Sequence, residues 1–306
     1  MSSAVSSDPW PEAPVDGWLD TCATIHMWSQ MVGKVRLARA PVQNHWWHVA
    51  LYLTARGLTT SAIPDGTRTF QIDFDFLDHR LAIATSDGNL ETIPLVSQSI
   101  SDFYDEFTAR LAALGVTVHI WPVPVELVEA IPFGENRSVS EYQPEIAERL
   151  WRILSIADMA LKRFFSGFLG KASPAHFFWG SFDLAMTRFS GRPAPKHPGG
   201  IPNVADWVTR EAYSHELWSC GFWPGTRDGF ERPAFYAYAY PEPPDFSAAP
   251  TLPKEARYSA DLRLFLLPYD DLRRHAEPAQ AVGDFLHSTY EAAADLGRWD
   301  RECLER

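Results

Sequence analysis

Two carboxylates stand inside apolar, strand-like segments in the second half of the sequence. Glu216 shares one face of a predicted strand with serine, cysteine and aromatic residues, and Asp183 is placed in the same way on another strand. A carboxylate in such surroundings must be desolvated, paired or shifted in pKa, which is typical of either a structural ion pair or a general acid or base. An ion pair of Glu216 with Arg188 is the structural alternative. We predict that acid–base chemistry is carried by His176, Asp183, His215 and Glu216.

Aromatic residues make up 13% of the sequence and are clustered at residues 45–48, 176–179, 221–224 and 235–240. They pack well in a core, but they also form pocket walls for ring-shaped ligands such as a sugar, a base or an aromatic acid. The alternative role of the aromatic residues is core packing, and that of Lys34 and Lys171 is to complement the dipole at a helix end. We predict that a small ligand is bound by Lys34, His45, Trp47, Lys171, Trp179, Arg192, Trp223 and Tyr238.

Basic residues gather around the proline- and glycine-rich segment 190–202, in a protein that is otherwise acidic. Arginine and lysine at such a place bind the carboxylate or phosphate of a small ligand. A solvated loop is the alternative. The residues concerned are Arg188, Arg192, Lys196 and His197.

Several common sites are excluded by spacing. His45 and His48 are three residues apart, so on a strand they point to opposite faces and cannot share a metal unless the segment is helical or bulged. Cys22, Cys220 and Cys303 form no CxxC pair, which argues against a zinc ribbon, a thioredoxin motif and a disulfide scaffold. The phosphate-binding motifs GxGxxG and GxxxxGK[ST] are absent. We predict no metal site, and no cofactor is assigned.

Composition excludes further classes of protein. The chain has 306 residues, a formal net charge of −12 and a pI near 5.3, so electrostatic attraction to nucleic acid or to an anionic membrane is not expected. No apolar run approaches the roughly 18 residues of a membrane span. The first residues carry neither a basic nor an apolar leader region, and we expect a cytoplasmic protein.

The elements that must position these residues follow from hydrophobic periodicity. Helices are predicted at residues 18–39, 101–114, 144–168 and 279–298. Strands are predicted at residues 45–55, 70–76, 81–85, 90–95, 116–121, 176–189, 213–222, 234–240 and 262–267. Strands joined by short turns, with helices before and after, indicate an α+β protein with antiparallel sheets and flanking helices.

The two halves of the sequence repeat one pattern. A helix ending in Gly-Lys precedes a His-aromatic strand in both, and a helix with Asp-Phe near its start and Leu-Gly at its end closes both. We predict an internal duplication in which His45 matches His176 and Lys34 matches Lys171, with coincidence as the alternative. The predicted organisation is a flexible arm at 1–15, a first repeat at 16–140 and a second at 141–306, forming one integral domain.

Distinctive strings fall mainly in the second half: GKASPAHFFWGSFDLA at 170–185, YSHE at 213–216, GFWPG at 221–225 and YAYPEP at 238–243. Together with the Gly-Lys at 33–34 and HWWH at 45–48, they resemble the bacterial family catalogued as domain of unknown function 5996. The resemblance runs from about Trp18 to Leu304. It implies one integral unit and no particular reaction.

Two classes of function follow from these residues. The first is a small-molecule enzyme that uses His, Asp and Glu for acid–base chemistry in an aromatic-walled pocket. The second is a non-catalytic protein that binds or senses a small ligand in the same pocket. The enzyme is favoured, because carboxylates beside histidines in apolar strands are costly to keep for binding alone.

Overall fold

The computed structural model describes residues 9–227 and 230–306. Two six-stranded antiparallel sheets form its frame, and they continue one another where Leu51 and Phe177 exchange backbone hydrogen bonds of 2.9 and 2.8 Å. Helices flank the sheets, and buried residues of both halves form one contiguous core. The predicted α+β class with antiparallel sheets is confirmed.

The strands are β1 Tyr52–Leu53, β2 Gly57–Thr59, β3 Ile63–Asp65, β4 Arg68–Asp75, β5 Arg80–Thr85, β6 Leu90–Pro94, β7 Gln98–Ser99, β8 Val139–Ser140, β9 His176–Phe178, β10 Asp183–Pro193, β11 His215–Trp223, β12 Ala234–Tyr240, β13 Arg257–Ser259 and β14 Leu264–Pro268. The first sheet has the order β1-β2-β4-β5-β6, and β3 pairs with β4. The second has the order β9-β10-β11-β12-β14-β13, while β7 and β8 pair separately.

The helices are α1 Trp18–Arg39, α2 Ile100–Ala113, α3 Pro144–Phe165, α4 Asp206–Ala212, α5 Tyr269–Leu272, α6 Pro278–Leu296 and α7 Arg301–Leu304. Local signals explain several of their ends. Ser99 caps α2 by accepting a hydrogen bond from the backbone of Asp102. Proline stands at the first position of α3 and α6, where a missing N–H costs nothing. Gly115, with φ of 68°, follows α2.

The predicted strand at 45–55 is wrong over most of its length. Residues Asn44–Val49 form a 3₁₀ turn in which His45 and Trp46 have φ of 55° and 62°. A left-handed backbone cannot continue a strand. Tertiary contacts override the strand propensity here, because the Trp46 ring packs against Trp207 of α4 with centroids 5.0 Å apart.

Two other predicted strands are also corrected. Residues 116–121 form no strand, and the chain beyond them runs beside α1, where Gln30 bonds both backbone groups of Val125. The segment 176–189 is divided by a turn at 179–182, in which Phe182 has φ of 57°. This turn matters below, because it places Asp183 at the start of β10.

The internal duplication is not confirmed. The two sheets connect their strands differently, and His45 lies in a turn whereas His176 lies on β9. Part of the predicted flexible arm is packed, since Trp10 and Ala13 are buried and the Tyr269 hydroxyl donates to the carbonyl of Pro11 over 2.8 Å. Residues 1–8 of that arm lie outside the described residues. Nowhere in residues 9–227 and 230–306 does a helix have the length and apolar character needed to cross a membrane.

Candidate functional site

A cavity of about 530 Å³ opens against the second sheet, bounded by α1, α4, the turn before β1 and the segment around residues 119–126. Its volume suits a small molecule. Indole and phenyl rings make up much of its wall: Trp46, Trp47, Trp121, Phe178, Trp179, Phe189 and Trp207.

Asp183 lies at one part of this wall and is buried. The hydroxyl of Ser181 donates to one carboxylate oxygen and that of Tyr236 donates to the other. Burial raises the pKa of Asp183, and the two hydrogen bonds oppose that shift. Both oxygens are thus engaged, so Asp183 is a fixed acidic group beside the cavity.

Glu126 is the second carboxyl at the same place. It lies against the backbone of Gly180, where a Cβ atom added to that glycine would stand 2.1 Å from Glu126 Oε1. The residue is solvent-exposed and its side chain lines the cavity. Desolvation, followed by the negative charge of Asp183, raises the pKa of Glu126 to about 7. Within the described part of the chain, no hydrogen bond engages its carboxyl group.

The backbone holds Glu126 in an uncommon conformation, with φ of 61°. The Gln30 side chain fixes the preceding residue through bonds of 2.9 and 2.8 Å to Val125. The N–H of Glu126 itself donates to the carbonyl of Pro202 over 2.8 Å. Such strain is kept where the surroundings over-determine it, and this is frequent at functional sites.

Strain is concentrated around the cavity more widely. Ten non-glycine residues in the described ranges have positive φ, and four of them line the cavity: His45, Trp46, Glu126 and Asn203. Since this conformation is uncommon for residues with side chains, its clustering here favours a functional over a purely structural cavity.

Tyrosine hydroxyls stand beside the two carboxyls. Tyr213 and Tyr238 hydroxyl oxygens are 2.8 Å apart, so one donates to the other and the accepting hydroxyl keeps its own hydrogen. Tyr236 and Tyr238 are two residues apart on β12, so both side chains lie on the same face of the sheet and line the cavity. Burial raises the pKa of all three phenols, which keeps them protonated as hydrogen-bond donors.

Lys34 of α1 supplies a cationic group. Its residue is 3% exposed and lines the cavity, with Nζ 5.0 Å from the ring centre of Trp121 and 5.7 Å from that of Trp179. Among residues 9–227 and 230–306, no carboxylate pairs with this ammonium. Desolvation therefore lowers the pKa of Lys34 to about 8.

Six of the twelve residues assigned from sequence to acid–base chemistry or to the aromatic ligand pocket line this cavity. His45 is oriented by a bond from Nδ1 to the carbonyl of Ala212 over 3.0 Å, and Trp179 by a bond from Nε1 to the carbonyl of Val49 over 2.8 Å. Because a carbonyl only accepts, Nδ1 of His45 carries the proton. The predicted residues found in the wall are Lys34, His45, Trp47, Trp179, Asp183 and Tyr238.

The other predicted residues lie elsewhere. His176 is buried behind the wall against Trp47, and desolvation lowers its pKa to about 4. His215 and Lys171 are exposed. Trp223 packs in a separate small cluster. The structure does not bring these residues, or Glu216 and Arg192, to the cavity wall.

Glu216 forms an ion pair, but with Arg192 and not with Arg188. Arg192 Nη2 and Nε lie 2.6 and 2.8 Å from Glu216 Oε2, and the same guanidinium donates to the carbonyls of Gly297 and Arg298. Arg188 is instead buried against aromatic rings and donates to the carbonyl of Phe164 over 2.7 Å. The pair thus ties β10 and β11 to the end of α6.

This ion pair is partly solvent-exposed, so its effect on stability is small. We expect Glu216→Gln to lower the free energy of unfolding by no more than about 1 kcal/mol, because water screens the pair. Urea unfolding of the purified variant measures this. A loss of roughly 3–5 kcal/mol, typical of a broken buried pair, would contradict the assignment.

Sequence reasoning missed Glu126, Tyr213 and Tyr236 as site residues. Tyr236 had a usable signal, because it lies two residues before Tyr238 on a strand predicted with its observed bounds, and residues two apart on a strand share a face. Glu126 had none, since its neighbours in the cavity are distant in sequence. No group of three or more His, Cys, Asp or Glu side chains in the described ranges has a geometry that would hold a metal ion.

Comparisons with known proteins bear on the family alone. Neither a curated protein nor a solved structure matches the chain. The profile of DUF5996, described as a family of unknown function, matches residues 10–306. The match covers nearly the whole chain, which therefore belongs to the DUF5996 family.

Proposed function

We propose that this protein is a small-molecule enzyme in which Glu126 transfers a proton to or from a substrate bound in the aromatic cavity. One observation carries the proposal: the carboxyl group of Glu126 faces the cavity next to Asp183, without a hydrogen-bond partner in the described part of the chain. A carboxyl that only stabilises a fold does so through hydrogen bonds or an ion pair, and among the described residues Glu126 forms neither, although its backbone is held in an uncommon conformation with φ of 61°.

The different surroundings of the two carboxyls support different roles. Asp183 is held on both oxygens by Ser181 and Tyr236, and its charge raises the pKa of Glu126. Glu126, with a pKa of about 7, both accepts and releases a proton near neutral pH. We therefore assign proton transfer to Glu126 and electrostatic tuning to Asp183.

The tyrosines supply the complementary part of the chemistry. When Glu126 removes a proton from a substrate, negative charge develops on the substrate and needs a hydrogen-bond donor. The paired hydroxyls of Tyr213 and Tyr238 keep one hydrogen for such an acceptor. Their raised pKa values mean that they stay protonated while they donate. None of the three cysteines forms a disulfide, which favours a reducing compartment such as the cytoplasm.

The experiment compares turnover and binding in matched variants. Wild type, Glu126→Gln and Glu216→Gln are incubated with fractionated small-molecule extracts, and consumed and formed compounds are followed by mass spectrometry. We expect wild type and Glu216→Gln to convert the same compound, and Glu126→Gln to convert it about 10²–10⁴-fold more slowly, as for loss of a general acid or base. Binding of a compound by all three proteins without conversion by any would instead support the non-catalytic binder.

The pH dependence of stability tests the state of Glu126 independently of any substrate. The folded pKa of about 7 lies above the ordinary 4.5, so the folded state loses stability as pH rises from about 4.5 to 7. We expect Glu126→Gln to melt at a higher temperature than wild type at pH 8 and at the same temperature near pH 4.5. Calorimetry measures both. A lower melting temperature of the variant at pH 8 would show that the charged carboxylate stabilises the fold.

A further inference from the structure

Lys34 places a positive charge in the cavity that nothing in the described part of the chain neutralises. Its Nζ lies over the faces of the Trp121 and Trp179 rings, 5.0 and 5.7 Å from the ring centres. Ring faces attract a cation, but more weakly than a desolvated carboxylate does. A buried, unpaired charge is costly for a fold, and an anion bound beside it would remove that cost.

The wall around Lys34 defines the rest of such a ligand. Trp121 and Trp179 flank the ammonium, and Trp47 lines the same cavity. Flat indole faces favour a ligand with a planar ring, which they contact by stacking. The volume of about 530 Å³ accommodates a ring with a short side chain.

The acidic groups of the cavity define where the anionic group does not go. Glu126 and Asp183 do not pair with Lys34. Their negative charge would repel an anionic ligand group placed beside them. The free carboxyl of Glu126 instead suits a hydroxyl or amine, which donates to it. The cavity thus offers one group for an anion and a separate group for a hydrogen-bond donor.

We propose that the ligand is a ring-containing small acid, whose carboxylate or phosphate binds Lys34 while a hydroxyl or amine of the same molecule faces Glu126. This assignment names the substrate class of the proposed enzyme and rests on that function only for the role of Glu126. The binding of the anion by Lys34 stands without it.

The test uses probes that share a para-hydroxyphenyl ring and differ in the group offered to Lys34. Para-hydroxyphenylacetate, its uncharged amide and para-hydroxyphenyl phosphate are titrated against wild type while tryptophan fluorescence is followed. We expect an anionic probe to bind about 10- to 100-fold more tightly than the amide, the range of a charge-assisted hydrogen bond. Preference for the carboxylate or for the phosphate identifies the anionic group. Equal binding of the amide and both acids, or no binding of any probe, would overturn the assignment.

Variants attribute the preference to Lys34. We expect Lys34→Met to lose the preference for the anion with amide binding unchanged, and Lys34→Arg to retain part of it. Lys254→Met, at an exposed lysine far along the chain, is the matched control and retains all of it. A preference that survives in Lys34→Met would overturn the assignment. We expect Glu126→Gln to keep the preference for the anion, because Lys34 is unchanged in that variant. The anion preference therefore tests the role of Lys34, and the turnover of Glu126→Gln tests proton transfer, so either proposal can fail without the other.

Discussion

Lys34→Met is expected to raise the free energy of unfolding by about 1–3 kcal/mol at pH 7. The lysine has a folded pKa of about 8 against an ordinary 10.5, and each unit of difference corresponds to about 1.4 kcal/mol. The expected gain is smaller than this pKa difference alone implies, because the methionine variant loses the attraction between the ammonium and the rings of Trp121 and Trp179. Methionine keeps the apolar stem of the side chain, so packing changes little.

The sign of the pH dependence follows from the depressed pKa. Between about pH 8 and 10.5 the unfolded chain binds the lysine proton more tightly than the folded protein does, so wild type gains stability as pH rises through this window. The difference between Lys34→Met and wild type is therefore full below pH 8 and disappears near pH 10.5. Urea unfolding at pH 7, 9 and 10.5 measures it.

Lys254→Met provides the matched control, because the Lys254 side chain is 91% exposed. We expect no more than about 0.5 kcal/mol of change for this variant at any of the three pH values, as for other surface substitutions. If Lys34→Met were less stable than wild type at pH 7, the ammonium would be stabilising the fold. A bound anion would then offset no energetic cost of the buried ammonium.

Elements with strong local signals were predictable from the sequence. The helix Trp18–Arg39 and the strand Ala234–Tyr240 have their predicted bounds, because apolar periodicity and β-branched or aromatic runs act locally. The alternation of Phe70, Ile72 and Phe74 gave β4 in the same way, and all three are buried. Such signals require no knowledge of which elements pack together.

The candidate site was only partly predictable, because its geometry depends on contacts between distant parts of the chain. Glu126 reaches the cavity because Gln30 and Pro202 hold its segment, and neither contact has a sequence signature. Glu216 looked like Asp183 in sequence, since both are carboxylates in aromatic strands. Only the fold shows that Arg192 reaches Glu216 from the neighbouring strand while Asp183 faces a cavity. Strand periodicity gives the face of a residue but not what lies opposite it.

Gly33 shows how a local rule and the packing of this cavity make opposite predictions. By helix propensity, alanine in the middle of α1 stabilises the helix by about 1 kcal/mol. In the fold, a Cβ atom on Gly33 would stand 2.1 Å from Trp179 Nε1 and 2.3 Å from Cε2. These atoms belong to a buried ring that forms a hydrogen bond to Val49, so the ring cannot move aside freely.

We therefore expect Gly33→Ala to lower the free energy of unfolding by about 1–3 kcal/mol, the usual effect of overpacking. Gly283→Ala is the matched control, because Gly283 lies within α6 and nothing stands within 4 Å of the added Cβ atom. That variant is expected to gain about 0.5–1 kcal/mol by propensity alone. Urea unfolding of both variants measures the difference. If both variants gain stability, Trp179 moves aside readily and the cavity wall beside Lys34 is not rigidly held. If Gly33→Ala loses stability while Gly283→Ala gains it, the absence of a side chain at Gly33 is what allows the indole to lie against α1 and beneath the ammonium.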